Sequence, residues 1–143
     1  MRATMHAVLV LLAMTTTAHP RGPLDEPDKR FLCISEASGG IKNIGGSWIG
    51  TGFQNDDKVL ITPTKKNIFT DNPYVILDPG KKLPITSCNI YKDGTQLYCD
   101  TYFYNGFFST ETLRLQLIYK LGYAQPGTIN DTPNITGFRC SPI

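Results

Sequence analysis

The dipeptide Asp93-Gly94 constrains this chain more than any other feature. Each side of it carries a short run with alternating apolar residues, Asn89-Ile90-Tyr91-Lys92 before and Thr95-Gln96-Leu97-Tyr98 after. Asp-Gly favours the positive backbone φ angles of a two-residue hairpin turn. That turn places residue 92 opposite 95 and 90 opposite 97. It therefore also places Cys88 opposite Cys99. Facing residues in a hairpin lie about 4.5–5.5 Å apart, within disulfide range. Cys33 and Cys140 complete the set of four cysteines. They pair by elimination, tying together the two ends of the domain. A loop that long stabilises by roughly 4–5 kcal/mol in the chain-entropy model. No CxxC pair occurs and the region after residue 30 has no histidine, so no metal site is expected.

Even cysteine usage fits an oxidising compartment, and the N-terminus supplies the route. Arg2 precedes the apolar run Ala7-Val8-Leu9-Val10-Leu11-Leu12-Ala13-Met14. Thr16-Thr17-Ala18 then places small residues at the cleavage positions. Residues 1–18 read as a signal peptide. Its apolar run is shorter than the ~20 residues of a membrane anchor. Residues 19–30, HPRGPLDEPDKR, contain three prolines and many charges. Such a segment buries too little apolar surface to fold alone. It reads as a disordered tail, or as a propeptide cut after Lys29-Arg30. Residues 31–143 remain as a single domain, with ten basic and nine acidic residues. This balance points neither to nucleic acid nor to an anionic membrane.

Strands are expected at Phe31–Ser35, Lys58–Thr62, Tyr74–Leu77, Leu83–Tyr91, Gln96–Tyr104, Thr112–Tyr119 and Thr136–Cys140. Leu113, Leu115 and Leu117 alternate with Arg114 and Gln116, the clearest period-two pattern in the chain. Ala37, Ile41, Ile44 and Trp48 recur at helical spacing, but Gly39, Gly40, Gly45 and Gly46 oppose a helix. A short helix or a looped turn is expected there. The fold class is α+β: a small antiparallel sheet with one short helix and two disulfides.

His6 and His19 both precede the domain. Their position removes Ser-His-Asp and Cys-His nucleophilic sites from the expected chemistry. Carboxylate chemistry would fall to Glu36 and Glu111, each weighed against an ordinary surface charge. Tyr102, Tyr104, Phe107 and Phe108 are candidate partner-binding residues, since aromatics can stack bases or anchor an interface. The alternative for the same rings is core packing. Lys65 and Lys66 are second-choice contacts, weighed against a solvated loop. Asn130 and Asn134 begin glycosylation sequons.

Phe31-Leu32-Cys33 near the domain start and Gly137-Phe138-Arg139-Cys140 near its end carry a resemblance. So do Tyr104-Asn105-Gly106 and the strand around Arg114. The chain resembles the ribonuclease-like secreted effectors of powdery mildews and related fungi. More distantly it is similar to the guanyl-specific fungal ribonucleases. The resemblance implies a ribonuclease-like fold. Ribonuclease chemistry needs a Glu base, a His acid and an Arg at the phosphate. Of these only Arg114 has a counterpart. The expectation is therefore a secreted, non-enzymatic virulence effector that needs no cofactor. It would act as a monomer, bind a host protein or RNA, and be open to detection by a host immune receptor. It could act inside host cells. The alternative is a secreted carboxylate-based hydrolase or toxin.

Overall fold

The computed structural model describes residues 22–26, 28–54, 56–64, 71–122 and 132–143. Lys65, Lys66 and Asn130 lie outside them. Among the described residues the chain is nearly all β, in nine antiparallel strands. They are β1 (Phe31–Ile44), β2 (Ser47–Phe53), β3 (Lys58–Pro63), β4 (Tyr74–Leu77) and β5 (Pro84–Tyr91), followed by β6 (Gln96–Asp100), β7 (Tyr104–Ser109), β8 (Arg114–Tyr119) and β9 (Asn134–Pro142). From β3 to β9 each strand pairs with the next. β1 closes the circuit by pairing with β3 on one edge and β9 on the other. Eight strands thus form a closed up-and-down barrel, with β2 extending β1 outside it.

This corrects the α+β, ribonuclease-like expectation. The expected helix or loop around 37–48 is instead the β1–β2 hairpin, paired from Ser38↔Phe53 to Ile44↔Ser47. Gly45 and Gly46, which speak against a helix, are its turn, with φ of 60° and 88°. Both values suit the primed turns that match strand twist. The expected helical spacing of Ala37, Ile41, Ile44 and Trp48 is thus a coincidence of residues in two paired strands. Leu113 also departs from expectation. It has a φ of 53° in the β7–β8 turn, and β8 begins at Arg114.

An eight-stranded barrel is just wide enough for side chains to fill its interior. Here alternate positions do so. Phe31, Cys33, Val59, Ile61, Tyr74, Ile76, Leu97, Phe108, Leu115 and Phe138 are all at most 3 % exposed. Both expected disulfides are present. Cys33–Cys140 and Cys88–Cys99 each join residues facing one another on neighbouring strands, β1 with β9 and β5 with β6. All four cysteines point into the interior. Two disulfides fit an oxidising, extracellular setting. Among the described residues no helix is long and apolar enough to cross a membrane.

The two ends of the barrel differ. One end is plugged by a 3-10 turn, Pro23–Asp25, whose Leu24 is 2 % exposed. Leu24 N–H donates to the Gly94 carbonyl at 3.0 Å, and the Tyr74 hydroxyl donates to the Leu24 carbonyl at 3.1 Å. The Asp93-Gly94 hairpin turn has φ values of 54° and 75°, and the 22–25 turn rests directly on it. A Cβ at Gly22 would come within 2.1 Å of the Asp93 carbonyl oxygen, so the approach requires glycine there. The charged, proline-rich stretch thus delivers one apolar side chain into the core. Among the described residues, none fills the opposite end of the barrel in this way.

Candidate functional site at the barrel mouth

At that end, described residues at the strand termini surround a recess of about 320 Å³. Its floor is apolar, formed by Val59, Ile85, Leu117 and Phe138. Its rim is polar, formed by Asp57, Asp78, Tyr104, Tyr119, Thr132, Asn134 and Thr136. Register explains the grouping. Tyr104 faces Tyr119 across β7 and β8, and Tyr119 faces Asn134 across β8 and β9. The inward-facing row therefore ends in two tyrosines and an asparagine at the same height. Asp57 sits in the segment before β3 and Asp78 in the segment after β4, which places both carboxylates on the far side of the mouth.

The Tyr104 and Tyr119 rings lie 5.1 Å apart at 47°. Burial raises the Tyr104 phenol above its ordinary pKa, with further contributions from Asp78 and then Asp57. Beside the rings, the Asn134 amide donates to the Thr132 carbonyl at 3.1 Å and the Thr136 hydroxyl approaches the Asn134 oxygen at 3.5 Å. Thr136 also meets Ser38 of β1, hydroxyl to hydroxyl, at 2.9 Å. These contacts hold the start of β9 against β1 and fix one wall of the recess.

The expected partner-binding residues separate. Tyr104 lines the mouth. Phe108 is wholly buried, with its ring 4.8 Å from that of Phe31, and belongs to the core rather than to a surface. Phe107 and Tyr102 face solvent, at 42 % and 69 % exposure. Tyr98 on β6 points outward, at 48 % exposure. Residues 101–103 turn the chain between β6 and β7. Asn134 of the second sequon lines the recess instead of projecting from the surface.

Neither glutamate enters a carboxylate pair. Glu36 is the extra residue at an irregularity in β1, where the β9 register shifts between Ser35 and Ala37. Such a bulge re-aims a side chain. Here it turns Glu36 outward to ion-pair with Arg114 and with Arg139, the latter at 2.7 Å. The Arg114 counterpart of a phosphate-binding arginine is thus engaged on the outside wall. Glu111 is exposed in the turn before β8. Among the described residues no group of three or more metal-ligating side chains forms.

Sequence reasoning missed Asp57, Asp78, Tyr119 and Thr132. The available signal was positional, since each lies at or just beyond the end of an alternating run. Barrel mouths are built from such positions. No protein-family model, curated protein or solved structure gave a significant match to this chain.

Proposed function

We propose that the chain is a secreted, non-enzymatic binding module whose ligand site is the mouth of the barrel. The observation that carries this reading is the asymmetry of the ends. One is stoppered by Leu24. The other keeps a recess with an apolar floor and convergent polar groups, the usual make-up of a small-molecule site. Its volume lies at the low end of such sites, so the ligand is small.

The test is a screen of small soluble compounds against the isotope-labelled protein. Backbone amide shifts should concentrate at residues 57, 78, 104, 119 and 134. Shifts confined to the outer wall, or to the plugged end, would sink the assignment.

A second reading is a macromolecular partner, such as a host protein, on the outer wall. Tyr98, Tyr102, Phe103 and Phe107 favour it, each between 42 % and 69 % exposed. Aromatic residues in such positions are frequent interface anchors. This exposed face supports the reading in place of a ribonuclease-like fold. Binding lost on joint substitution of Phe103 and Phe107 by alanine, with the mouth unaffected, would favour it over the first.

A further inference from the structure

We propose that β2 is a docking edge for a second copy of this chain, the two β2 strands pairing antiparallel about Gly50. The first observation is topological. Among the described residues every barrel strand has a strand on both sides, whereas β2 pairs with β1 alone. The Gly45-Gly46 turn has two residues, so Ile44 and Ser47 form a hydrogen-bonded pair, and such pairs recur at every second position from there. The backbone groups of Ser47, Ile49, Thr51 and Phe53 therefore point to β1. Those of Gly50 and Gly52 point the other way. In keeping with this, the Gly52 carbonyl accepts from the hydroxyl of its own neighbour Thr51, at 3.2 Å.

The second observation is what the strand lacks. Sheet edges are usually guarded by charge, proline, a bulge or short length. β2 runs for seven residues with no charged residue and no proline. Its register with β1 is regular from Ser38↔Phe53 to Ile44↔Ser47, so no bulge twists it away. A Cβ at Gly50 would have nothing within 4 Å, so this stretch of the strand is uncrowded. Ile44 and Ile49 share one face of the hairpin at 54 % and 45 % exposure, and a neighbouring strand would cover part of that face.

The third observation identifies the occupant. An unguarded edge takes up an extended strand through backbone hydrogen bonds. β2 is itself a fitting strand, because its side chains are complementary in size when it is turned against itself. About a twofold axis at Gly50, Gly50 faces Gly50 of the second copy. Ile49 then faces Thr51 of the second copy, Trp48 faces Gly52 and Phe53 faces Ser47. Each large side chain meets a smaller one, and no charges oppose. The same register puts Gly50 and Gly52, whose backbone groups point outward, at the positions that exchange hydrogen bonds. The contact is isologous and closes at two copies, since each β2 occupies the edge of the other. The product is a four-stranded sheet, β1–β2–β2–β1, joining two intact barrels, in place of the monomer that the resemblance implies. Seven residues span ~24 Å of strand. One strand edge of that length is small for a protein interface, so the association is reversible.

The test follows the mass of the intact, oxidised protein by sedimentation equilibrium, over a concentration series reaching the millimolar range. The mass should rise reversibly from one chain to two and stop there. Hydrogen exchange at the Gly50 and Gly52 amides should slow over the same range. Gly50→Lys and Gly50→Glu test the register. A side chain at position 50 has open space in the single chain, so both variants should keep the fold, read from unchanged barrel amide shifts. Each variant sets like charges face to face on the axis and should weaken self-association by about fivefold or more. An equimolar mixture of the two should pair again, because opposite charges then meet. A mass of one chain throughout would overturn the proposal. Edge amides protected in that case would mean that another part of the same chain covers β2. Undiminished pairing of both variants would place the contact elsewhere and overturn it too. Growth beyond two copies, or a mixture that fails to pair, would overturn the twofold register at Gly50.

Discussion

Phe107 and Phe108 are adjacent on β7 and face opposite ways, one to solvent and one into the barrel. Sequence alone shows two consecutive rings and cannot say which is inside, because a shift of one residue exchanges the faces of a strand. The pairing Leu97↔Phe108↔Leu115 resolves it. Phe108→Ala should cost about 3–5 kcal/mol in denaturant unfolding, as expected for emptying a core ring site. Phe107→Ala should cost under about 1 kcal/mol. Similar losses for the two would contradict the register. Tyr104 carries a second expectation at this scale. Burial, then Asp78 and Asp57, raise its phenol above the ordinary value of 10.0. As pH rises the unfolded chain therefore releases this proton first. The contribution to stability is complete below about pH 10, and it is lost as pH climbs through the raised folded value. Tyr74, raised mainly by burial, acts in the same direction. Tyr104→Phe should flatten the fall in stability above about pH 10, measured by denaturant unfolding at successive pH values. An unchanged slope would show that the phenol is solvated.

Among the elements, the β5–β6 hairpin was legible in its turn and register, although its second strand ends at Asp100 rather than running on to Tyr104, where β7 begins. Its turn is local, and Asp-Gly dictates both turn type and register, as the Cys88↔Cys99 pairing shows. Gly45-Gly46 is an equally local turn signal between β1 and β2. It was obscured because four apolar residues happened to fall at helical intervals across it. The plug was hidden for a different reason. Leu24 is a lone apolar residue among prolines and charges, and no periodicity can mark a single side chain. Its burial depends on Gly22 and Gly94 letting two backbones meet, and Gly94 lies about seventy residues away in a turn already explained by its hairpin. Leu24→Ala should lower unfolding stability by about 2–5 kcal/mol, the range for a buried leucine. The loss should be seen in heat or denaturant, with the mouth resonances unmoved. A change of a few tenths would mean that the segment only rests on the barrel.

For the whole molecule, both disulfides and most strands were within reach of sequence, but β2, β7 and closure were not. Each strand pairs with its neighbour in either an open sheet or a barrel. What distinguishes them is β9 meeting β1, more than a hundred residues apart, and no local pattern encodes that contact. The mouth inherits the same opacity, since Asp57, Asp78, Tyr104 and Tyr119 converge only when the ring shuts. Closure also fixes how the molecule answers to force. Cys33 and Cys140 stand side by side on the seam, with a sequence separation of 107. Tension applied at the two ends therefore passes from one cysteine straight to the other. Under load the oxidised chain can peel back only as far as that crosslink, from residue 32 on one side and 141 on the other. The barrel between stays slack, however hard the ends are pulled. Reduction puts the strands themselves in series with the load, and the seam becomes the line along which a pulled molecule unzips.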